Sequence, residues 1–250
     1  MCRCLPTTFR TAGLAVAVCA VLAFCTAPAV AESFRLGVNF VGDETFSPGG
    51  EARLEPDDLA GAVPQTHWTN AAGGCSSLTD LPDASGNRTG VDVTWRADTF
   101  YLPVADASTD HRLMRGRLAP LGSDPVTVTV TGLDGAAPGP YDVLVYFDCY
   151  TCGSQAADVA MTFTIGNTVL TGTDLAGADF AGTFVEDTGA GGNVVRFHGL
   201  TGDGFALEVA GSPAAVNALQ VVHAPEPATL LLAAAGAALC AAGRRRGTRT

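Results

Sequence analysis

The stretch Val126-Thr127-Val128-Thr129-Val130-Thr131 alternates without a break. A period of two sends the valines to one side of a ribbon and the threonines to the other. The segment therefore predicts a strand with one face on a core and one face in solvent. Val91-Asp92-Val93-Thr94-Trp95 has the same pattern. Strand-like runs also cover 34–41, 141–147, 158–165, 182–186, 193–197, 204–210 and 215–222. Clusters of Gly, Pro, Asn and Asp separate them, as at 135–140 and 189–192. No long amphipathic helix is visible. Residues 110–118 are the best short helical candidate and read equally well as a strand. Many short strands with frequent turn signals predict an all-β chain, a sandwich or jelly roll rather than a βαβ sheet.

The two ends do not belong to that pattern. Arg3 and Arg10 precede an apolar run over 12–24, and Ala29-Val30-Ala31 follows. This is the order of a secretory signal peptide, with small residues at Ala29 and Ala31 for the signal peptidase and Glu32 as the mature start. The apolar run is short for a membrane span. Phe24 before Cys25 is wrong for a lipoprotein signal, which needs a small residue there. At the other end, Pro225-Glu226-Pro227 stops the last strand, since proline lacks a backbone donor and has a fixed φ. An uncharged apolar run over 228–243 then predicts a marginal transmembrane helix. Arg244, Arg245 and Arg246 would hold its far end on the cytoplasmic side. The expected division is a signal peptide at 1–31, a β-sandwich at 32–223 and a sorting tail at 224–250.

Charge narrows the partners. The chain of 250 residues has no lysine, and its formal net charge is −11. The 32–223 body alone sets eight Arg against 24 Asp and Glu, a net of −16. A domain so acidic will not follow a phosphate backbone, which argues against nucleic acid as a partner.

The three-part C-terminus resembles the PEP-CTERM sorting signal of exopolysaccharide-producing Gram-negative bacteria. Pro225, Glu226 and Pro227, the run 228–243, and Arg244, Arg245 and Arg246 match its parts in order. The resemblance implies a transient anchor in the inner membrane, removal of the tail by an exosortase, and delivery to the cell surface or the medium. The body, from Leu36-Gly37-Val38-Asn39-Phe40 through His67-Trp68-Thr69-Asn70 and Tyr141-Asp142-Val143 to Asn217-Ala218-Leu219-Gln220, resembles a domain common in such proteins. More loosely it resembles galactose-binding-domain-like and malectin-like jelly rolls. That fold hosts lectins, adhesion modules and inert spacers alike.

Candidate chemistry follows in three groups. For a glycan, aromatic rings stack on sugar C–H faces while amides hold hydroxyls. Trp68, Asn70, Tyr101 and Tyr150 are the candidates, Trp68 first. Trp95, on an alternating strand, reads as core. For calcium, a structural ion implied by the jelly-roll resemblance, Asn39, Asp43 and Asp148 lie at strand ends, although none sits in a D-x-[DN]-x-[DN]-G loop. No other cofactor is expected. For cysteine, export puts Cys75, Cys149 and Cys152 in an oxidising compartment. Cys149 and Cys152 bridging across Tyr150-Thr151 is the first reading, and Cys75 bridging to one of them is the second. Catalysis finds no footing, because His67, His111, His198 and His223 stand in no H-E-x-x-H and no Ser stands in G-x-S-x-G. The expectation is an exported, non-enzymatic surface or matrix protein that binds exopolysaccharide. The alternatives are a spacer without a ligand and, third, a glycan-active enzyme with two facing carboxylates.

Overall fold

The structure is a computed structural model, and it describes residues 34–42, 52–101, 104–149, 157–177 and 179–223. Thirteen strands appear among them, in chain order β1 Arg35–Gly42, β2 Thr69–Ala72, β3 Cys75–Leu78, β4 Asp92–Arg96, β5 Asp98–Tyr101, β6 Gly116–Ala119, β7 Val126–Thr131, β8 Tyr141–Tyr146, β9 Val159–Ile165, β10 Thr168–Asp174, β11 Val194–Leu200, β12 Gly204–Ala210 and β13 Ala218–His223. Two short helices, α1 Thr109–Leu113 and α2 Leu133–Ala136, complete the set. Sheet one has the order β11-β8-β13-β1-β2, and sheet two the order β10-β9-β12-β7-β4-β3. Strands β5 and β6 form a separate ribbon. Every pairing is antiparallel except β1 with β2.

Alternation explains how the sheets meet. In β7 the valines at 126, 128 and 130 are buried, while Thr129 and Thr131 are exposed. The partner strands repeat this, with Val93 and Trp95 inward from β4 and Phe205, Leu207 and Val209 inward from β12. They meet Leu36, Val38 and Phe40 of β1 and Val143 and Val145 of β8 in one apolar core. Each such side chain withdrawn from water contributes about 1.5–3 kcal/mol before entropy is charged against it. Trp95 is core, its ring edge-on to Phe40 at 5.8 Å and its Nε1 donating to Gly73 O at 2.7 Å.

Strand β1 breaks the rule of one wet face. All seven residues from Leu36 to Gly42 are buried. The second cover is chain 52–68, which folds over the outer side of sheet one and brings Leu54, Ala60 and Trp68 onto Leu144, Tyr146 and Ala218. Gly37 makes that cover fit. A Cβ there would run into the Trp68 ring and lie 2.6 Å from Gln65 Nε2. Gly61 flanks the same ring, its missing Cβ 2.7 Å from Trp68 Cζ2.

Two local expectations change. The 110–118 segment is both helix and strand. Ser108 Oγ caps α1 by accepting from His111 N at 3.3 Å, and β6 begins at Gly116. The run 182–186 is not a strand. Asn193 holds its backbone, accepting from Val185 N at 2.9 Å and donating to Thr183 O at 3.0 Å, while Phe184 packs on Tyr146. Only Glu186 bridges, to Val194. Strand β10 was hidden by Gly172, whose bare Cα lies under the Phe147 and Phe163 rings.

Gly37→Ala is expected to lower unfolding free energy by about 2 kcal/mol in urea titration, because the added methyl has no room. Gly135→Ala is the control. Nothing lies within 4 Å of its Cβ position, and stability should hold or rise slightly.

Candidate functional site

Two polar clusters lie on or beside sheet one. The first sits under chain 52–68. Asn39 Nδ2 donates to Ala52 O at 2.8 Å and to Asn70 Oδ1 at 2.9 Å. Asn70 clasps the Leu54 backbone, accepting from its N–H at 3.0 Å and donating to its carbonyl at 2.8 Å. Tyr146 OH donates to Gln220 Oε1 at 2.6 Å and accepts from Ala62 N at 2.9 Å. Gln220 Nε2 donates to Val63 O at 2.6 Å and Gln65 Oε1 at 2.8 Å. Burial pushes the Tyr146 hydroxyl pKa upward, so it stays a donor. These bonds fasten a loop to a sheet.

Two of the glycan candidates, Trp68 and Asn70, fall within this scaffold rather than on a surface. Trp68 is only 4% exposed and donates from Nε1 to Ala60 O and Gln65 O, both at 3.2 Å. Its ring meets Tyr146 edge-on at 6.1 Å. A sugar cannot reach it, and this corrects the expectation of a stacking platform. Asn70 likewise spends its amide on Leu54. Tyr101 is half-buried, with the Arg115 guanidinium 5.0 Å from its ring centroid. Tyr150 lies outside the described residues.

The second cluster lies where β8 ends. Asp148 N donates to Asn217 Oδ1 at 2.7 Å, and Asp148 Oδ2 accepts from Phe180 N at 3.1 Å. Cys149 N donates to Asp174 Oδ2 at 2.8 Å. Asn217 is fully buried and donates to Met114 O and Gly116 O, at 2.9 and 3.0 Å. Arg117, buried from the β5–β6 ribbon, supplies positive charge, and its guanidinium lies 5.5 Å from the Phe100 ring centroid. Asp174 is pushed up to about 6, first by burial and then by the Asp148 charge. Of the calcium candidates, Asn39 and Asp148 belong to different clusters. Asn39 faces Ala218, two strands away from β8, and belongs to the first cluster. Asp43 lies outside the described residues. Among the described residues no three His, Cys, Asp or Glu side chains are placed to hold a metal.

The expected small disulfide is also corrected. Cys149 carries a free thiol, buried, with Sγ donating to Met161 Sδ at 3.2 Å. The inward alternation of Val143, Val145 and Phe147 runs on to Cys149 and points the sulfur into the core. Burial pushes this thiol up to about 12, far from a reactive thiolate. Cys75 is also free, and exposed, so the second reading, Cys75 bridging to Cys149 or Cys152, is not formed either. Cys152 lies outside the described residues. Asp174, Arg117, Asn217 and Gln220 were missed in the sequence. Asn217 and Gln220 within the apolar run 215–222 were the available signal.

Among histidines, His198 Nδ1 lies 3.2 Å from Asp142 Oδ2, and His111 Nδ1 lies 2.8 Å from Ser108 Oγ. These pairs stand on separate elements, and the second belongs to the cap of α1. Neither forms a serine-histidine-carboxylate relay.

The described residues define a class, an all-β protein of two packed sheets. The tail gives the rest. Residues 223–246 match the family model of the PEP-CTERM protein-sorting motif. That span takes in Pro225, Glu226, Pro227, Arg244, Arg245 and Arg246. The motif implies a protein exported through a membrane-anchored intermediate and processed by an exosortase. Comparison with curated proteins gave no match. No helix among the described residues is long and apolar enough to cross a membrane. The expected span 228–243 lies outside them, as do the signal-peptide residues Ala29 and Ala31.

The Asp174 shift has a sign that can be measured. The folded chain keeps this proton to about pH 6, whereas an unfolded aspartate releases it near ~4. Between those values the folded state binds more protons, so stability from this group falls as pH rises from about 4 to 6. Asp174→Asn keeps the acceptor for Cys149 N–H and removes the buried charge. The variant should lack that decline and be about 2 kcal/mol more stable than wild type at pH 7, read by urea titration at several pH values.

Proposed function

We propose that this chain is a non-enzymatic cell-surface or matrix protein whose body serves as a structural module once an exosortase has removed the tail. The observation that carries the tail half is the motif match at 223–246. The observation that favours a structural body over a lectin-like one is the burial of Trp68 and Trp95, at 4% and 2% exposure. Lectin-type recognition through stacking needs an open aromatic face, and these two rings are spent on packing. The body is read as a jelly roll of the galactose-binding-like kind. Supporting this are the two packed sheets and the central pairing of β1 with β13.

The proposed processing runs in order. Signal peptidase cuts after Ala31. The span 228–243 holds the chain in the inner membrane, with Arg244, Arg245 and Arg246 on the cytoplasmic side. The exosortase then releases the 32–223 body outward. Neither a metal nor an organic cofactor is required for a module of this kind.

Replacing Pro225, Glu226 and Pro227 together by alanine in the exporting host tests the processing. Wild type should yield a surface or medium form whose intact mass lacks residues 244–246. The triple variant should remain at full tail length in the inner membrane. Equal release of both would overturn the exosortase reading.

A further inference from the structure

The two sheets are finished differently. The outer side of sheet one carries chain 52–68 and the second apolar cluster. On sheet two, Thr94, Arg96, Thr129, Thr131, Ala206 and Glu208 are all exposed, so nothing among the described residues covers the middle of that face. Inward positions fix which residues point outward. They include eight threonines on four strands, β4, β7, β9 and β10, while the charged ones on sheet two are Asp92, Arg96 and Glu208. In a body with eight Arg against 24 acids, this is an unusually neutral surface.

The register gives it internal order. Across β7, Glu208 faces Thr127, which faces Arg96. One row on, Ala206 faces Thr129, which faces Thr94. In the third, Gly204 faces Thr131, which faces Asp92. Thus β12 contributes the smaller partner in two rows and the acid in the row where β4 contributes the base. Arg96 is half-exposed and held toward this end by Asp124 at 2.8 Å.

We infer that this face pairs with itself, joining two copies of the chain through sheet two. Rotation by a half-turn about an axis along β7, between two facing copies, lays each β12 over the other copy's β4. Glu208 then meets the second copy's Arg96, twice. Ala206 lies over Thr94, and Gly204 over Asp92. Such an interface is isologous and closed. Threonine suits it, since a branched short side chain loses little rotamer freedom on contact. The half-turn overlaps five strands, with β9 over β3, β12 over β4 and β7 over itself, while β10 overhangs. At ~4.8 Å spacing and about five residues each they give roughly 400 Å² per copy, or roughly 800 Å² in all. That is below the size of a stable interface, so the pairing is weak in dilute solution and favoured where copies are crowded on a surface. Elsewhere the copies repel, because both bodies are acidic. A neutral glycan would have no use for the crossed Glu208–Arg96 pairs.

The test is cross-linking of the full-length chain in exporting cells. Thr129→Cys is placed in a Cys75→Ser background, and a short bismaleimide is added. Bands from uncut and processed chain are read separately, so failed processing cannot hide failed pairing. A dimer that depends on Thr129→Cys is expected. Arg96→Glu or Glu208→Arg alone should lower the dimer fraction about fivefold or more by setting like charges opposite each other. The two together should restore it, at equal surface abundance. Absence of the dimer, or a double swap as weak as either single one, overturns the inference. Protection of the Thr129→Cys thiol from maleimide by added exopolysaccharide, without a dimer, assigns the face to a glycan and overturns it too.

Discussion

The fit of the Trp68 ring against the bare Cα of Gly37 is the contact on which the rest depends. Strand β1 lies inside sheet one, between β13 and β2, and has apolar or polar packing on both sides. A strand buried on both faces normally belongs to a parallel sheet flanked by helices. Here a loop does the covering. That loop must bring its own hydrogen bonds, because buried backbone groups without partners are costly. Asn39, Asn70, Gln65, Gln220 and Tyr146 provide them. The polar side chains that resemble a binding site by composition are the fittings of this second layer.

The same arrangement explains why the sandwich is asymmetric. Sheet one is dry on both sides along β1 and most of β8 and β13, and is fastened there by side-chain amides. Sheet two has one dry side and presents threonine to water. The acidic group at the end of β8 belongs to the first pattern. Asp148 and Asp174 are tied to the backbone amides of Phe180 and Cys149. Burial first, and then the Asp148 charge, leave Asp174 inclined to keep its proton. It is a place where fastening costs stability near neutral pH.

Strand positions were readable where alternation was strict. The β7 and β4 segments matched within a residue, and so did the outward set of Thr127, Thr129 and Thr131. Alternation is a local property and survives in the sequence. The small strands β2, β3 and β5 were not readable, since four residues hold too little of a period. The site was read less well. Trp68 beside Asn70 has the composition of a sugar subsite, and only tertiary packing shows that the ring faces Gly37. Cys149 in C-x-x-C looked like half of a small loop, yet its sulfur follows the core side of β8. The sorting motif was legible because its three parts follow one another in linear order, with no folding needed to bring them together.

The central claim is that chain 52–68 is part of the folded core. Native-state hydrogen exchange measures this directly. The amides of Ala60 and Gln65, which bond each other's carbonyls at 3.1 and 3.0 Å, and of Ala62, bonded to Tyr146, should exchange with free energies close to those of β1. Exchange of these amides within seconds, while β1 stays protected, would show a detachable flap and contradict the account.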